Sequence, residues 1–167
     1  MSWRDLRHFG PSNARFDHHV PPPRAQTRGI LYAAADPVTC IAEVFQATRV
    51  IERNAKAPWF VAFDLARGVR LLDLTGRWPT LAGASMAISS GQRPRARRWS
   101  AAIHAAYPDV EGLLYGSSMH ANLPSVALYE RARTALPSAP AFHRALSDPA
   151  LLLRLNAAAT RIGYRLV

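Results

Sequence analysis

Four residues spread along the chain have side chains suited to holding a nucleotide. In chain order they are Arg15, Tyr32, Glu43 and Ser117. The planar fork of an arginine can clamp a phosphate. A carboxylate beside a ribose can bind the ribose hydroxyls and favour positive charge at the anomeric carbon. The set therefore favours a nucleotide site over a peptide site or a metal site.

Arg15 and Tyr32 depend on their neighbours for this interpretation. Phe16 is expected to anchor its loop in the core and so leave Arg15 facing a cleft. Tyr32 ends an apolar stretch, and at a strand end it could stack on a base or a nicotinamide ring. The plainer alternatives stay open, because a loop arginine is often solvated and a tyrosine after an apolar run is often part of the core.

Glu43 and Ser117 also have two interpretations each. The residues one helical turn from Glu43 form a rather polar stripe, which would suit a solvent-facing glutamate, but the segment is apolar on most other sides and favours a functional cavity. Ser117 follows a Gly-Leu-Leu-Tyr-Gly run, so its hydroxyl and the nearby backbone N–H groups suit phosphate or ribose contacts. A simple turn serine is the alternative. The Gly-x-Ser-x-Gly nucleophile pattern is absent.

The elements that position these residues alternate without a regular strand–helix repeat. Asp36 and Pro37 are typical of a helix start. Residues 1–28, rich in Pro, Arg and His, are expected to be irregular. We predict strands over 29–34, 59–65, 69–74, 112–115 and 126–129, with 59–74 forming a hairpin around Arg67-Gly68, and a helix after Asp148-Pro149 that Gly163 ends. The fold class is α+β, with a mixed or antiparallel β core and flanking helices.

Length and composition indicate one domain over residues 1–167. Hydrophobic residues make up 49% and charged residues 19%, as in globular proteins. We expect no membrane span, no secretory signal and no disulfide, since Cys40 is the single cysteine. A cytoplasmic location follows as the expectation. The histidines lack the spacing of a zinc site, so we expect no metal.

The formal charge of +10 comes from 21 basic and 11 acidic residues, and Lys56 is the only lysine among them. Such an excess predicts an anionic partner, which is a nucleotide, a nucleic acid or an acidic protein. Arg93, Arg95, Arg97 and Arg98 precede Trp99 and form the densest basic cluster. A basic nucleic-acid-binding module that uses this cluster is therefore an alternative to a nucleotide enzyme.

The motifs resemble those of the RES domain family, which is named for an Arg, a Glu and a Ser in this order. The resemblance rests on Arg15-Phe16-Asp17, Leu31-Tyr32, Cys40-Ile41-Ala42-Glu43 and Tyr115-Gly116-Ser117, and it extends over about residues 9–130. Four motifs in the right order make it fairly specific. The family also carries an arginine near the start of the domain, for which Arg4 and Arg7 are the candidates here.

The resemblance implies a compact fold like that of ADP-ribosyltransferases and a toxin that cleaves NAD⁺ at the nicotinamide–ribose bond. NAD⁺ is then a substrate, and no cofactor is needed. Glu43, Arg15 and Ser117 would be catalytic, and Tyr32 would join them in binding the substrate. The expected partner is an Xre-like antitoxin, and the toxin would contact DNA only indirectly, through this antitoxin. The expected assembly is a homodimer or a toxin–antitoxin hetero-oligomer. A catalytically degenerate RES domain that acts by protein binding is the other alternative.

Overall fold

The computed structural model describes residues 2–167. The strands are β1 (Arg7–Gly10), β2 (Arg24–Ala34), β3 (Val50–Ile51), β4 (Trp59–Ala62), β5 (Leu71–Asp73), β6 (Gly112–Gly116), β7 (Pro124–Tyr129), β8 (Phe142–Ala145) and β9 (Arg165–Leu166). The α-helices are α1 (Pro37–Val44), α2 (Trp78–Leu81), α3 (Ala87–Ser90), α4 (Arg93–Ala106) and α5 (Leu152–Ile162), and Glu130–Ala135 and Pro149–Leu151 form 3₁₀ turns. Within residues 2–167, none of the helices is long and apolar enough to cross a membrane.

A five-stranded mixed sheet in the order β1-β2-β7-β6-β5 forms the centre of the fold. Its neighbours are antiparallel except for β5 and β6, which run parallel. Two small sheets, β3-β9 and β4-β8, lie outside it. Strands and helices follow one another without a repeated βαβ unit, so the predicted α+β class is confirmed.

One face of the central sheet carries the predicted site residues. Tyr32 on β2 lies opposite Ala127 on β7, and Tyr115 on β6 lies opposite Ser125 on β7. Residues directly opposite share a face, and so do residues two apart on one strand. Tyr32 and Tyr115 therefore point to the same side, where Phe16 and helix α4 pack on the sheet. A second core, between α1 and α5, fixes the position of α1.

Local signals for the helix ends are confirmed. The Asp36 carboxylate accepts a hydrogen bond from Thr39 N at 2.8 Å and caps α1. The Asp148 carboxylate caps the Pro149–Leu151 turn that leads into α5 by accepting from Ala150 N. Gly163 ends α5 with φ +69°, a conformation that favours glycine.

Two predictions made from the sequence differ from the structure. Residues 1–28 are not wholly irregular, because β1 pairs with a β2 strand that begins at Arg24, five residues before the predicted start. The hairpin prediction is wrong. Strand β4 pairs with β8, and β5 pairs with β6, so the two segments on either side of Arg67-Gly68 enter different sheets.

Candidate active site

Glu43 and Ser117 meet although 74 residues separate them. Ser117 lies just beyond the end of β6, and its hydroxyl donates to Glu43 Oε1 at 2.5 Å. The same hydroxyl oxygen accepts from the backbone N–H groups of Met119 and His120, at 3.2 and 3.1 Å. These two donors occupy the oxygen's lone pairs, so its single proton points to the carboxylate. Ser117 is only 1% exposed, so its contact with Glu43 is shielded from solvent on the serine side.

The second oxygen of the Glu43 carboxylate is tied to Gln46. Gln46 Nε2 donates to Glu43 O at 2.7 Å and lies 3.3 Å from Glu43 Oε2. Gln46 Oε1 in turn accepts from Arg93 Nη2 at 2.6 Å. A chain of contacts therefore runs from Ser117 through Glu43 and Gln46 to an arginine at the first turn of α4. The glutamate is thus partly buried and bonded within the site, which excludes the alternative of a freely solvated residue.

Arg15 is held beside this group by Phe16, as predicted. Phe16 is fully buried, and its ring lies 4.6 Å from the ring of Tyr115. The half-buried Arg15 guanidinium donates to the carbonyl of Gly91. Burial and then the charge of Arg93 lower the pKa of Arg15, while the charge of Glu43 acts in the opposite direction. Arg15, Arg93 and Glu43 therefore lie close enough to influence one another.

Tyr32 and Tyr115 line the floor of the same site. Tyr32 is 36% exposed, yet burial raises the pKa of its hydroxyl well above the usual value, with the neighbouring Tyr115 as the next cause. The hydroxyl thus lies in surroundings that disfavour its charged form, although the residue as a whole is partly exposed. Burial likewise raises the pKa of Tyr115, and the charge of Glu43 adds to that shift. Both phenols remain neutral hydrogen-bond donors at neutral pH.

The upstream arginine expected from the family resemblance is placed by the sheet register. Arg7 on β1 lies opposite Ile30 on β2, so it faces the side of the sheet that carries Tyr32. Its Nη2 atom lies 3.0 Å from the buried carboxylate of Asp17, without the geometry of a hydrogen bond. The charge of Arg7 also reaches the Tyr32 hydroxyl. Arg7, rather than Arg4, is therefore the arginine at the edge of the site.

The structure brings together three of the histidine and acidic residues that the sequence left unassigned. His18 Nε2 and His104 Nε2 lie 3.2 and 2.7 Å from the two oxygens of Glu130, which also accepts from Gly29 N at 3.0 Å. The three side chains form the one group within residues 2–167 that could hold a metal ion. Because a carboxylate only accepts, both ring nitrogens must carry protons, and the group forms a hydrogen-bonded network that joins three segments of the core.

Sequence reasoning did not assign four residues to the site: Gln46, Arg93, Tyr115, which it gives only within a motif, and Arg7, which it leaves as one of two candidates. Tyr115 and Gln46 had a signal, since each lies within a few residues of a predicted site residue at strand or helix spacing. Arg93 had none, because its neighbours are also arginines and the sequence does not show which of them faces inward. The four predicted residues, Arg15, Tyr32, Glu43 and Ser117, all lie in the region that these additional residues complete.

The RES domain family model matches residues 2–151. The chain therefore belongs to the RES domain family. The match extends beyond both ends of the segment that carries the sequence motifs and takes in Arg7. Neither the comparison with curated proteins nor the comparison with solved structures finds a match.

Proposed function

We propose that this protein cleaves NAD⁺ at the bond between nicotinamide and ribose. The observation that carries the proposal is the 2.5 Å contact between Glu43 and Ser117 beside Arg15. A fixed carboxylate close to a cationic group suits a substrate that has a ribose at one end and a diphosphate next to it. Membership of the RES domain family supports the same class of activity.

In the proposed reaction, the C1′–N1 bond breaks and its electron pair goes to nicotinamide, which becomes neutral as it leaves. Positive charge develops at C1′ of the ribose. The Glu43 carboxylate stabilises this charge and holds the ribose hydroxyls, so its interaction strengthens as the bond breaks. With water as the acceptor, a new C1′–O bond forms and one proton is released; phosphate or a protein side chain are the other acceptors.

The remaining residues bind and orient the substrate. Arg15 would hold the diphosphate by charge-assisted hydrogen bonds. Ser117 fixes one carboxylate oxygen of Glu43, and the ribose hydroxyls would bind the other oxygen, which Gln46 Nε2 contacts at 3.3 Å. Tyr32, which is partly exposed, would pack on the nicotinamide or its ribose. No resident cofactor enters the proposal, because nicotinamide in its cationic form is already a good leaving group.

The rival interpretation is a nucleic-acid-binding module that uses the basic cluster. Two residues of that cluster are not available to a nucleic acid. Arg93 is bonded to Gln46 in the site, and Trp99 packs against the core with its ring 6.0 Å from that of Trp78. Arg95 and Arg98 remain exposed on α4. A cluster without its aromatic residue has no platform on which a base can stack. This observation favours the enzyme over the nucleic-acid binder.

The partner belongs to the same proposal. RES domains occur in toxin–antitoxin systems, and the proposed activity would be harmful to the cell that makes the protein. We propose that an Xre-like antitoxin neutralises the protein by placing an acidic segment in the cleft, where it competes with the diphosphate for Arg15. Contact with DNA would then be made by the antitoxin.

The test is to mix purified protein with NAD⁺ and to follow free nicotinamide and the ADP-ribosyl product by chromatography. Glu43→Gln keeps the size of the side chain and removes its charge, so we expect turnover to fall about 100- to 1,000-fold, the loss typical for one preorganised electrostatic group. Glu52→Gln removes the same charge after β3, outside the contacts of the site, and should leave turnover unchanged.

Three outcomes distinguish the alternatives. Nicotinamide release that depends on Glu43 supports the proposal, and the product identifies water, phosphate or protein as the acceptor. Equal release by wild type and Glu43→Gln would contradict the role of the carboxylate. A folded wild-type protein that releases no nicotinamide at any concentration would indicate the catalytically degenerate form.

A further inference from the structure

Arg15 and Arg93 form a crossed pair between two segments of the chain. The Arg15 side chain donates to the carbonyl of Gly91, two residues before Arg93. The Arg93 side chain donates to the carbonyl of Asn13 at 3.3 Å, two residues before Arg15. Each arginine is thus anchored on the segment that carries the other. This exchange keeps two guanidinium groups side by side at the edge of the site.

The two like charges repel each other, and the nearby Glu43 carboxylate offsets this repulsion only in part. Burial and then the positive charge of Arg93 lower the pKa of Arg15, and the opposing effect of the Glu43 charge is smaller. Among the ion pairs of residues 2–167, arginines are paired with carboxylates at Arg7, Arg67, Arg70 and Arg144, and neither Arg15 nor Arg93 is among them. Two adjacent cations without carboxylate partners therefore form a preorganised anion site.

The position of the pair relative to Glu43 indicates which anion fits. Gln46 bridges Arg93 and Glu43, with its amide oxygen on the arginine and its amide nitrogen near the carboxylate. A ligand that places a ribose at Glu43 would therefore place its next groups at Arg15 and Arg93. One phosphate would occupy one planar guanidinium fork, while two linked phosphates would occupy both.

We infer that Arg93 is the second arginine of a diphosphate subsite and that it makes the site select a dinucleotide over a mononucleotide. The inference rests on the proposed function for the identity of the substrate. Arg15 would hold the phosphate on the side of the reacting ribose, because its neighbour Phe16 packs on Tyr115 in the site, whereas Arg93 reaches Glu43 only through Gln46. Arg93 would hold the phosphate on the adenosine side.

The experiment compares two substrates that share the same scissile bond. NAD⁺ has the diphosphate, and nicotinamide mononucleotide has one phosphate. Arg93→Gln should lower kcat/KM for NAD⁺ roughly 10- to 100-fold, the size expected for losing one charge-assisted contact. The loss should appear mainly in KM. The ratio of kcat/KM for NAD⁺ to that for the mononucleotide should fall at least about tenfold.

Arg95→Gln is the matched control, since it makes the same charge change on the same helix at an exposed position. It should leave the ratio at the wild-type value. A structural role for Arg93 alone, in tying α4 to residue 13, would lower activity on both substrates by the same factor and would overturn the inference. The inference would also be overturned if Arg95→Gln changed the ratio of the two kcat/KM values as much as Arg93→Gln does.

A second measurement separates this inference from the proposed function. If wild type releases no nicotinamide from NAD⁺, the binding of ADP is measured by calorimetry for wild type and Arg93→Gln. Binding of ADP by wild type that weakens at least about tenfold in Arg93→Gln, but not in Arg95→Gln, supports the diphosphate subsite and rejects only the cleavage reaction. Equal binding by wild type and Arg93→Gln, or no binding by either, overturns the subsite.

Discussion

The buried Asp17, the partly buried Glu130 and the buried His18 link the fold to pH at the scale of single residues. Burial raises the pKa of Asp17, but hydrogen bonds from Ser12 and His19 outweigh it and hold that pKa well below the usual value. Burial also acts against Glu130, and the hydrogen bonds from His104, His18 and Gly29 again prevail and lower its pKa. In His18, burial lowers the pKa of the imidazole and outweighs the attraction of Glu130.

We predict that acid destabilises the protein in two stages. The folded state disfavours a proton on His18, whereas the unfolded chain takes one up below about pH 6.5. Below that pH, His18 takes up a proton when the chain unfolds. The free energy of unfolding therefore falls as pH falls, by at most about 1.4 kcal/mol per pH unit. Below about pH 4, Asp17 and Glu130 cause a second decrease in the free energy of unfolding. Their carboxyl groups take up protons more readily in the unfolded chain than in the folded state, so acid favours the unfolded chain.

Urea unfolding at pH 7.5, 5.5 and 3.5 would measure both stages. His18→Asn should reduce the first one, even though the variant is less stable at pH 7.5. His143→Asn, at an exposed position on β8, should leave the pH profile unchanged. A flat profile between pH 7.5 and 5.5 in the wild type would contradict the role of His18.

At the same scale, the residue types of the site were predictable from the sequence and their contacts were not. Side-chain chemistry identifies Arg15, Glu43 and Ser117 as candidates, and the sequence predicts that Phe16 is buried, which the structure confirms. The contact between Glu43 and Ser117 depends on where β6 lies in the sheet, which no local pattern contains. The sequence places Arg93 in a basic surface cluster, whereas the structure places it at the site. The orientation of α4 relative to the core decides which arginine points inward, and no local sequence pattern contains that orientation.

At the scale of elements, the end signals of the helices carried the most information. Asp36-Pro37 and Asp148-Pro149 each predicted a start that the structure confirms, since a capping carboxylate and a proline act within one turn. The hairpin failed for the opposite reason. A turn at Arg67-Gly68 is a local feature. Strand β4, however, pairs with β8, which is distant in sequence, and only the complete fold determines that pairing.

The cap of α1 allows a test of how the element positions the site. The Asp36 carboxylate accepts from Thr39 N and from Thr39 Oγ1, and Thr39 Oγ1 also lies 2.8 Å from His120 Nδ1. The backbone N–H of His120 donates to Ser117. Asp36→Ala should therefore cost about 1 kcal/mol of stability, as for other caps, and should also lower nicotinamide release, because both Glu43 and Ser117 lose support.

Asp148→Ala is the control for this prediction, since it removes a cap, together with an ion pair to Arg144, at a turn that does not carry a site residue. It should cost a similar amount of stability and leave kcat/KM unchanged. Thermal unfolding and nicotinamide release are measured on the same samples. If both variants lose stability and neither loses activity, the cap of α1 stabilises the fold without positioning the site.

At the scale of the whole molecule, the +10 charge is the dominant property. A net positive charge of this size attracts anions over distances longer than a direct contact. This attraction weakens as dissolved salt screens the charge. The proposed dinucleotide substrate and the proposed antitoxin segment are both anionic. The same field would therefore speed the encounter with either of them, and they would compete for the arginine pair at the cleft.

We predict that an acidic antitoxin binds quickly at low salt and blocks turnover by occupying the cleft. The protein is co-purified with the product of its neighbouring gene, and the association rate is measured by stopped flow over a range of salt concentrations. The rate should fall steeply as salt rises, since steering depends on unscreened charge. Arg15→Gln should also speed dissociation, because it removes a contact inside the complex. Arg154→Gln, an equal charge change on the exposed face of α5, should leave dissociation unchanged. A stable complex that still releases nicotinamide at the rate of the free protein would show that the partner does not act by covering the site.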